Sequence, residues 1–273
     1  MIKQVLKNVV ERFPCAAQFY RNNRDLLDRN SPAVKTPWGF TLAGHSAMAA
    51  GTFESEETRL VRELLREVDV LVNVGANVGY YCCHALSLGK PVIAIEPIAR
   101  NLHYLLRNIT ENDWAQQAEI FPVALGANAD VLKMWGGGTG ASLVKGWANI
   151  PESYVTQVPV LTLDRILGAT LQGKRALILV DVEGAEYAML QGATQTLQNN
   201  PCPIWMMEIG STMHQPSGVS VNPDLVATFE IFFSCGYTAF TADEVSASVN
   251  IEKVRAVADE EGVFRTHNFC FYR

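Results

Sequence analysis

LVNVGANVGYY at 71–81 and VIAIEP at 92–97 decide how this chain is read. The apolar run ending at Val74 has the pattern of a buried strand, Gly75 and Gly79 punctuate a tight turn, and Tyr80 to Leu88 has the spacing of a helix. Glycine suits a loop where a Cβ would hold a ligand away from the backbone, and free amides at a helix start attract electronegative groups. Glu96 follows about twenty residues beyond Gly75, at the end of a second apolar strand that Pro97 stops. An acid at that place accepts hydrogen bonds from two ribose hydroxyls, so the expected ligand contains a ribose.

The loop chooses between ribose ligands. A dinucleotide fingerprint puts glycine at the first, third and sixth positions to admit a pyrophosphate. Here those positions hold Gly75, Asn77 and Tyr80. G-x-N-x-G suits S-adenosylmethionine, which has an amino-acid tail and no phosphate. The rivals are an NAD-dependent oxidoreductase, which Tyr80 disfavours, and a non-catalytic S-adenosylmethionine-binding scaffold.

Composition narrows the class. With 273 residues, 48% of them hydrophobic, the chain can bury a large core. A net charge of −6 argues against nucleic acid as a partner, because phosphate-tracking surfaces carry a basic excess. Cys15, Cys82, Cys83, Cys202, Cys235 and Cys270 show no C-x-x-C spacing and mostly sit in apolar runs, the pattern of reduced thiols in a cytoplasmic compartment. No uninterrupted apolar stretch is long enough to span a bilayer.

Residues 1–20 place Ile2, Val5, Leu6, Val9, Val10 and Phe13 on one helical face, which predicts an amphipathic helix that packs on the main domain or on a homodimer partner; attachment to a membrane surface is a lesser reading. Residues 1–50 are accordingly read as an N-terminal helical extension and 51–273 as the catalytic domain. After a helix over 56–68, strands are predicted at 70–74, 92–96, 119–124, 176–181, 203–209 and 236–241. Helices at 79–88, 99–112, 185–199 and 223–234 alternate with them, and a strand at 268–272 closes an antiparallel edge free of helices. This is an α/β doubly wound, mostly parallel sheet. Residues 126–163, with GGGTG at 136–140 and Pro151 and Pro159, read as an inserted β-hairpin region that shapes a substrate pocket.

A second motif, LILVDVEGAEYAMLQGA at 177–193, is an apolar strand that stops in Asp181, Glu183 and Glu186 around Gly184. Ligands bind beyond the carboxyl ends of parallel strands, so Asp181 is expected in the same crevice as Gly75 and Glu96. Glu186 reads as a capping residue of the helix start, and Glu183 fits either role. One strand further, WMMEIGSTMH at 205–214 brings Glu208 and His214 to the same edge, where a carboxylate and an imidazole can take a proton from a hydroxyl. His214 reads equally as a loop histidine. Asp164 is expected to cap its helix, and Trp135 and Trp147 to pack within the hairpin rather than form a sugar-stacking platform.

NVGANVGYY, AIEP followed by Asn101 to Asn112, and DVEGAE followed by LQGA together resemble the FkbM-type methyltransferases, a branch of the class I S-adenosylmethionine-dependent enzymes; GTFESEE at 51–57 is similar to a further family pattern. The resemblance covers roughly 51–210. It implies a Rossmann-like sheet of about seven strands and methyl transfer to a hydroxyl of a sugar or polyketide-type small molecule or glycan. In that frame Asn73, Gly75, Ala76, Asn77, Gly79 and Tyr80 surround the amino-acid end of the donor, Glu96 and Pro97 its ribose, and Val123 and Ala124 its adenine. Asp181 lies near the methyl, with Glu183, Glu208 or His214 as the base. No metal site is demanded by the spacing. The chain departs from the family pattern at Asn73, where aspartate is usual, and at Val180, where lysine is usual.

Overall fold

The structure is a computed structural model that describes residues 31–273; the predicted helix over 1–20, with its packing and dimer readings, and Cys15 lie outside the described residues. A short ribbon, β1 (Val34–Lys35) with β2 (Thr41–Leu42), and helices α1 (Ser46–Ala50) and α2 (Ser55–Leu64) lead into the main sheet. The central elements are β3 (Val70–Val74), α3 (Tyr80–Ser87), β4 (Val92–Ile95), α4 (Ala99–Glu111) and β5 (Ala118–Phe121). A small sheet follows from β6 (Ala124–Leu125), β7 (Asp130–Trp135) and β8 (Val155–Leu161). The chain then returns through α5 (Leu163–Leu167), β9 (Ala176–Val180), α6 (Glu186–Gln191), β10 (Ile204–Glu208), α7 (Leu225–Ser234), β11 (Thr238–Thr241), β12 (Ser248–Val249), α8 (Ile251–Ala258) and β13 (Asn268–Tyr272).

The main sheet has eight strands in the order β12-β11-β13-β10-β9-β3-β4-β5. Strands β10, β9, β3, β4 and β5 run parallel; β13 enters antiparallel between β10 and β11. The central strands β3, β4 and β9 are buried on both faces because helices cover both, whereas the edge strand β5 exposes Glu119. Val70, Val72 and Val74 of β3 join Ile178, Trp205 and the α5 to α8 side chains on one face, whereas Leu71 joins Leu177, Met206 and the α2 to α4 side chains on the other. Asn73 occupies the next position on that second face, where its Nδ2 lies 3.4 Å from Cys82 Sγ. The order reverses between β3 and β9, which makes the carboxyl ends of these two strands the topological switch point.

The strand and helix rhythm follows the sequence reading closely over 70–111, with differences elsewhere that have physical causes. The stretch expected as one strand over 119–124 splits at Pro122, a residue without an amide proton, and Ala124–Leu125 pairs with β8 in the small sheet instead. The helix expected over 185–199 stops after Gln191, at Gly192, and resumes only as a 3₁₀ turn at Thr196–Gln198. A Cβ on Gly192 would come within 2.3 Å of the Gly126 carbonyl oxygen, so close packing against the small sheet takes this position. The closing edge is antiparallel as expected, but β12 and α8 lie between its strands. The α8 helix is announced by Asn250, whose side chain accepts from the Lys253 amide. Asp164 does not cap its own helix: Thr162 does, accepting from Arg165 N, while the Asp164 carboxylate accepts from Gln195 N and Thr196 N. Cys82, Cys83, Cys202, Cys235 and Cys270 are free thiols, and no helix among the described residues is long and apolar enough to cross a membrane.

Candidate active site

The glycine loop is a chain of alternating left-handed residues: Gly75 at φ +80°, Asn77 at +51° and Gly79 at +85°. That alternation explains G-x-N-x-G, since asparagine is the side-chain-bearing residue that best tolerates this region. Gly75 is required by a neighbour from the chain itself: a Cβ there would lie 1.8 Å from the Asp181 carbonyl oxygen. The end of β9 is tied to β3 by Asp181 N donating to Val74 O at 3.0 Å, and the end of β3 to β4 by Gly75 N donating to Ile95 O at 3.0 Å. Gly79 lines neither cavity of the site; it lies against Leu105 of α4.

Beyond these strand ends lie two cavities. The first is a narrow slot lined by Glu96, Pro97, Ile98, Val123, Ala124, Leu125, Met134 and Leu143 among others. The second, roomier, is lined by Asn73, Ala76, Tyr80, Tyr81, Glu54, Glu208, His45, His214 and His267 among others. Gly75, Asn77, Thr139, Asp181 and Glu183 border both, so the cavities meet beside Asp181 and Glu183. The structure therefore brings all of the sequence-predicted site residues except Gly79 to one crevice at the switch point.

Glu96 is buried at the floor of the first cavity. Its Oε2 accepts from Asn77 N at 2.7 Å and its Oε1 from Ile98 N at 2.8 Å, with Asn101 Nδ2 at 3.4 Å. Burial raises its pKa to about 7 against these three donors. A carboxylate has about four acceptor positions, so Oε2 keeps room for a hydroxyl. An acid facing an apolar slot is the donor set that an adenosyl group needs, ribose on the acid and base in the slot. The residues present fit S-adenosylmethionine.

The second cavity is strongly acidic. Asp181 stands open to solvent in the crevice; the protein packed around it and then Glu208, Glu183, Glu54 and Glu186 push its pKa well up. Burial, reinforced by Glu183 and Glu54, pushes Glu208 to about 8. The nearest imidazole nitrogen, His267 Nε2, is 3.8 Å from Glu208 Oε1. Glu186, in the first turn of α6, is buried with its Oε1 accepting at 2.9 Å from Gly184 N, a turn amide ahead of the helix, and burial lifts it to about 7.

Several residues of this cavity escaped the sequence reading. Glu54, with Oε2 accepting from the Tyr81 hydroxyl at 2.8 Å, sits inside the GTFESEE pattern and could have been found there. His45, His267 and Asn268 come from distant parts of the chain with no local signal. Trp147 is buried, so it offers no open stacking face, and its Nε1 donates to Glu183 Oε2 at 2.7 Å. Among the described residues no group of three or more His, Cys, Asp or Glu is arranged to hold a metal ion.

The methyltransferase FkbM domain model matches residues 73–239, more than half of the chain. Among solved structures, the chain is similar to methyltransferase FkbM from Methylobacillus flagellatus KT at 17% identity, over 84% of this chain and 56% of that one, with a TM-score of 0.43. It thus spans little more than half of that relative. It is also similar to a putative O-methyltransferase from Klebsiella pneumoniae (11% identity, 91% and 87% of the two chains, TM-score 0.45). An O-methyltransferase from Bacillus cereus in complex with SAH matches at 12% identity over 82% and 83%, TM-score 0.45. No curated protein matches the chain. With the family model spanning the glycine loop, Glu96 and the DVEGAE turn, the chain belongs to the FkbM family of S-adenosylmethionine-dependent methyltransferases.

Proposed function

We propose that the chain moves the methyl group of S-adenosylmethionine to a hydroxyl oxygen of a small molecule of the sugar or polyketide type. The observation that carries this reading is the junction of the two cavities: an apolar slot with a ribose-binding acid on one side, an acidic chamber on the other, and Asp181 and Glu183 between them. The donor brings a methyl already activated by the sulfonium, so the protein has to align an acceptor oxygen and receive its proton.

Asn73, Ala76, Asn77 and Tyr80 would surround the amino-acid end, Glu96 the ribose and Val123 and Ala124 the adenine. Asn73 offers a hydrogen bond to the amino group without a negative charge, and its Nδ2 is already turned to Cys82. Glu208 is the base of choice, because burial lifts it to about 8, near the range where a carboxylate becomes a competent proton acceptor. Asp181 borders the transfer path, and His214 forms part of the acceptor wall. The test is incubation of the protein with methyl-labelled S-adenosylmethionine and a panel of sugar and polyketide alcohols. Label recovered as a methyl ether supports the reading; label on nitrogen or carbon acceptors alone overturns it.

A further inference from the structure

Trp147 ties together three segments that are far apart in sequence. It lies in the inserted region, in a 3₁₀ turn (Trp147–Asn149) that follows Gly146, where Ala148 and Asn149 hold positive φ values of +48° and +55°. Residues with a Cβ seldom adopt this left-handed region, so surrounding contacts must impose the conformation. Those contacts are present. Ala148 N donates to His214 O at 2.7 Å, and the Trp147 and His214 rings are 6.1 Å apart. On its other side the indole lies flat against the DVEGAE turn, where a Cβ on Gly184 would be 2.6 Å from Cζ3. Glu183 itself is left-handed at φ +53°, with its carbonyl accepting from Ser142 Oγ and its Oε2 accepting from the indole N–H at 2.7 Å. The indole can only donate, so this oxygen is held as an acceptor. Among the described residues the other oxygen, Oε1, has no hydrogen-bond partner, and Glu183 borders both cavities.

We propose that Trp147 is a positioning residue for the methyl donor: its indole N–H fixes the Glu183 carboxylate at the junction of the two cavities, where that carboxylate faces the positive sulfonium. The inference rests on the placement of the donor in the slot above Glu96. A methyl group must leave the donor slot through the junction to reach the acceptor chamber, so the sulfur comes to rest beside the junction residues. A carboxylate fixed there distinguishes the cationic donor from its neutral thioether product, S-adenosylhomocysteine. It thereby favours binding of the donor and release of the product.

The experiment is calorimetric titration of the full chain with S-adenosylmethionine and with S-adenosylhomocysteine, for wild type, Trp147→Phe, Glu183→Gln and the double variant. The quantity read is the ratio of the two affinities. Trp147→Phe keeps the packing ring and removes the N–H; it should lower the preference for the cationic donor by about three- to tenfold, the scale of one partly exposed charge interaction. Glu183→Gln, an isostere that keeps an acceptor for the indole, should lower the ratio similarly, and the double variant should lose no more than either single one. Equal weakening of both ligands by Trp147→Phe, an unchanged ratio in Glu183→Gln, or additive losses would each overturn the proposal. Failure of the wild type to bind either ligand would overturn the donor slot itself, and the inference with it.

Discussion

Replacing Gly75 by alanine tests whether the switch point is held by backbone contact between β3 and β9. Two costs add. Alanine at φ +80° is disfavoured by roughly 1–2 kcal/mol. Its Cβ would also stand 1.8 Å from the Asp181 carbonyl oxygen, which must retreat to about 3.0 Å, and this oxygen is backbone at the end of a buried strand. The retreat breaks or weakens the Asp181 N to Val74 O bond of 3.0 Å, at a cost of about 1–3 kcal/mol for polar groups left without partners. Together these give a loss of about 2–5 kcal/mol, which for a domain of this size lowers the melting temperature by roughly 4–9 °C. Gly89→Ala is the control: its φ is +72°, yet nothing lies within 4 Å of the added methyl, so only the conformational cost of roughly 1–2 kcal/mol remains. The assay is thermal and urea unfolding of both variants, with S-adenosylhomocysteine affinity measured on the folded fraction, since a displaced Asp181 carbonyl moves the junction. Indistinguishable melting of Gly75→Ala and Gly89→Ala would refute the argument.

Glu96→Ala should weaken donor binding by about 1–3 kcal/mol through loss of a charged acceptor, and should also destabilise the fold, because Asn77 N and Ile98 N lose their partner; unchanged calorimetric affinity in a folded variant would remove Glu96 from the donor site. Glu186 is lifted by burial from 4.5 to about 7, so its contribution to stability is fully present below about pH 4.5 and is lost as pH rises through 7. Glu186→Gln, which keeps an oxygen for Gly184 N, should therefore stabilise the protein at pH 8 by up to about 3 kcal/mol and have no such effect at pH 4; urea melts at the two values decide it. With Glu208 raised to about 8, turnover should climb with pH as the carboxyl loses its proton, reaching half its plateau at or somewhat below 8 because the sulfonium charge lowers the value. Glu208→Gln should lower turnover about a hundredfold or more and abolish that limb, and a pH–rate profile that keeps its shape in the variant would assign the base elsewhere.

Local order along the chain is enough to specify β3, α3, β4 and α4, because their apolar periods, glycine turn and Pro97 stop are properties of contiguous residues. The same holds for the placement of Glu96 and Asp181, since the carboxyl ends of parallel strands form a crevice whatever the loops do. Tertiary structure alone decided why Gly75 is glycine, since the atom that excludes a side chain is the Asp181 carbonyl, 106 residues away in sequence at a neighbouring strand end. It also decided that Asp164 serves the turn at Thr196 and that Glu54, His45 and His267 join the acidic chamber. It likewise made Trp147 the clamp on Glu183. These roles depend on approach between distant segments, and approach is set by packing of the whole sheet and its covering helices. A sequence pattern reports the period of one element and the chemistry of one loop; Asp181 and Glu208 acquire their raised pKa values only when the fold has packed protein around them and carried Glu54, Glu183 and Glu186 to the same crevice.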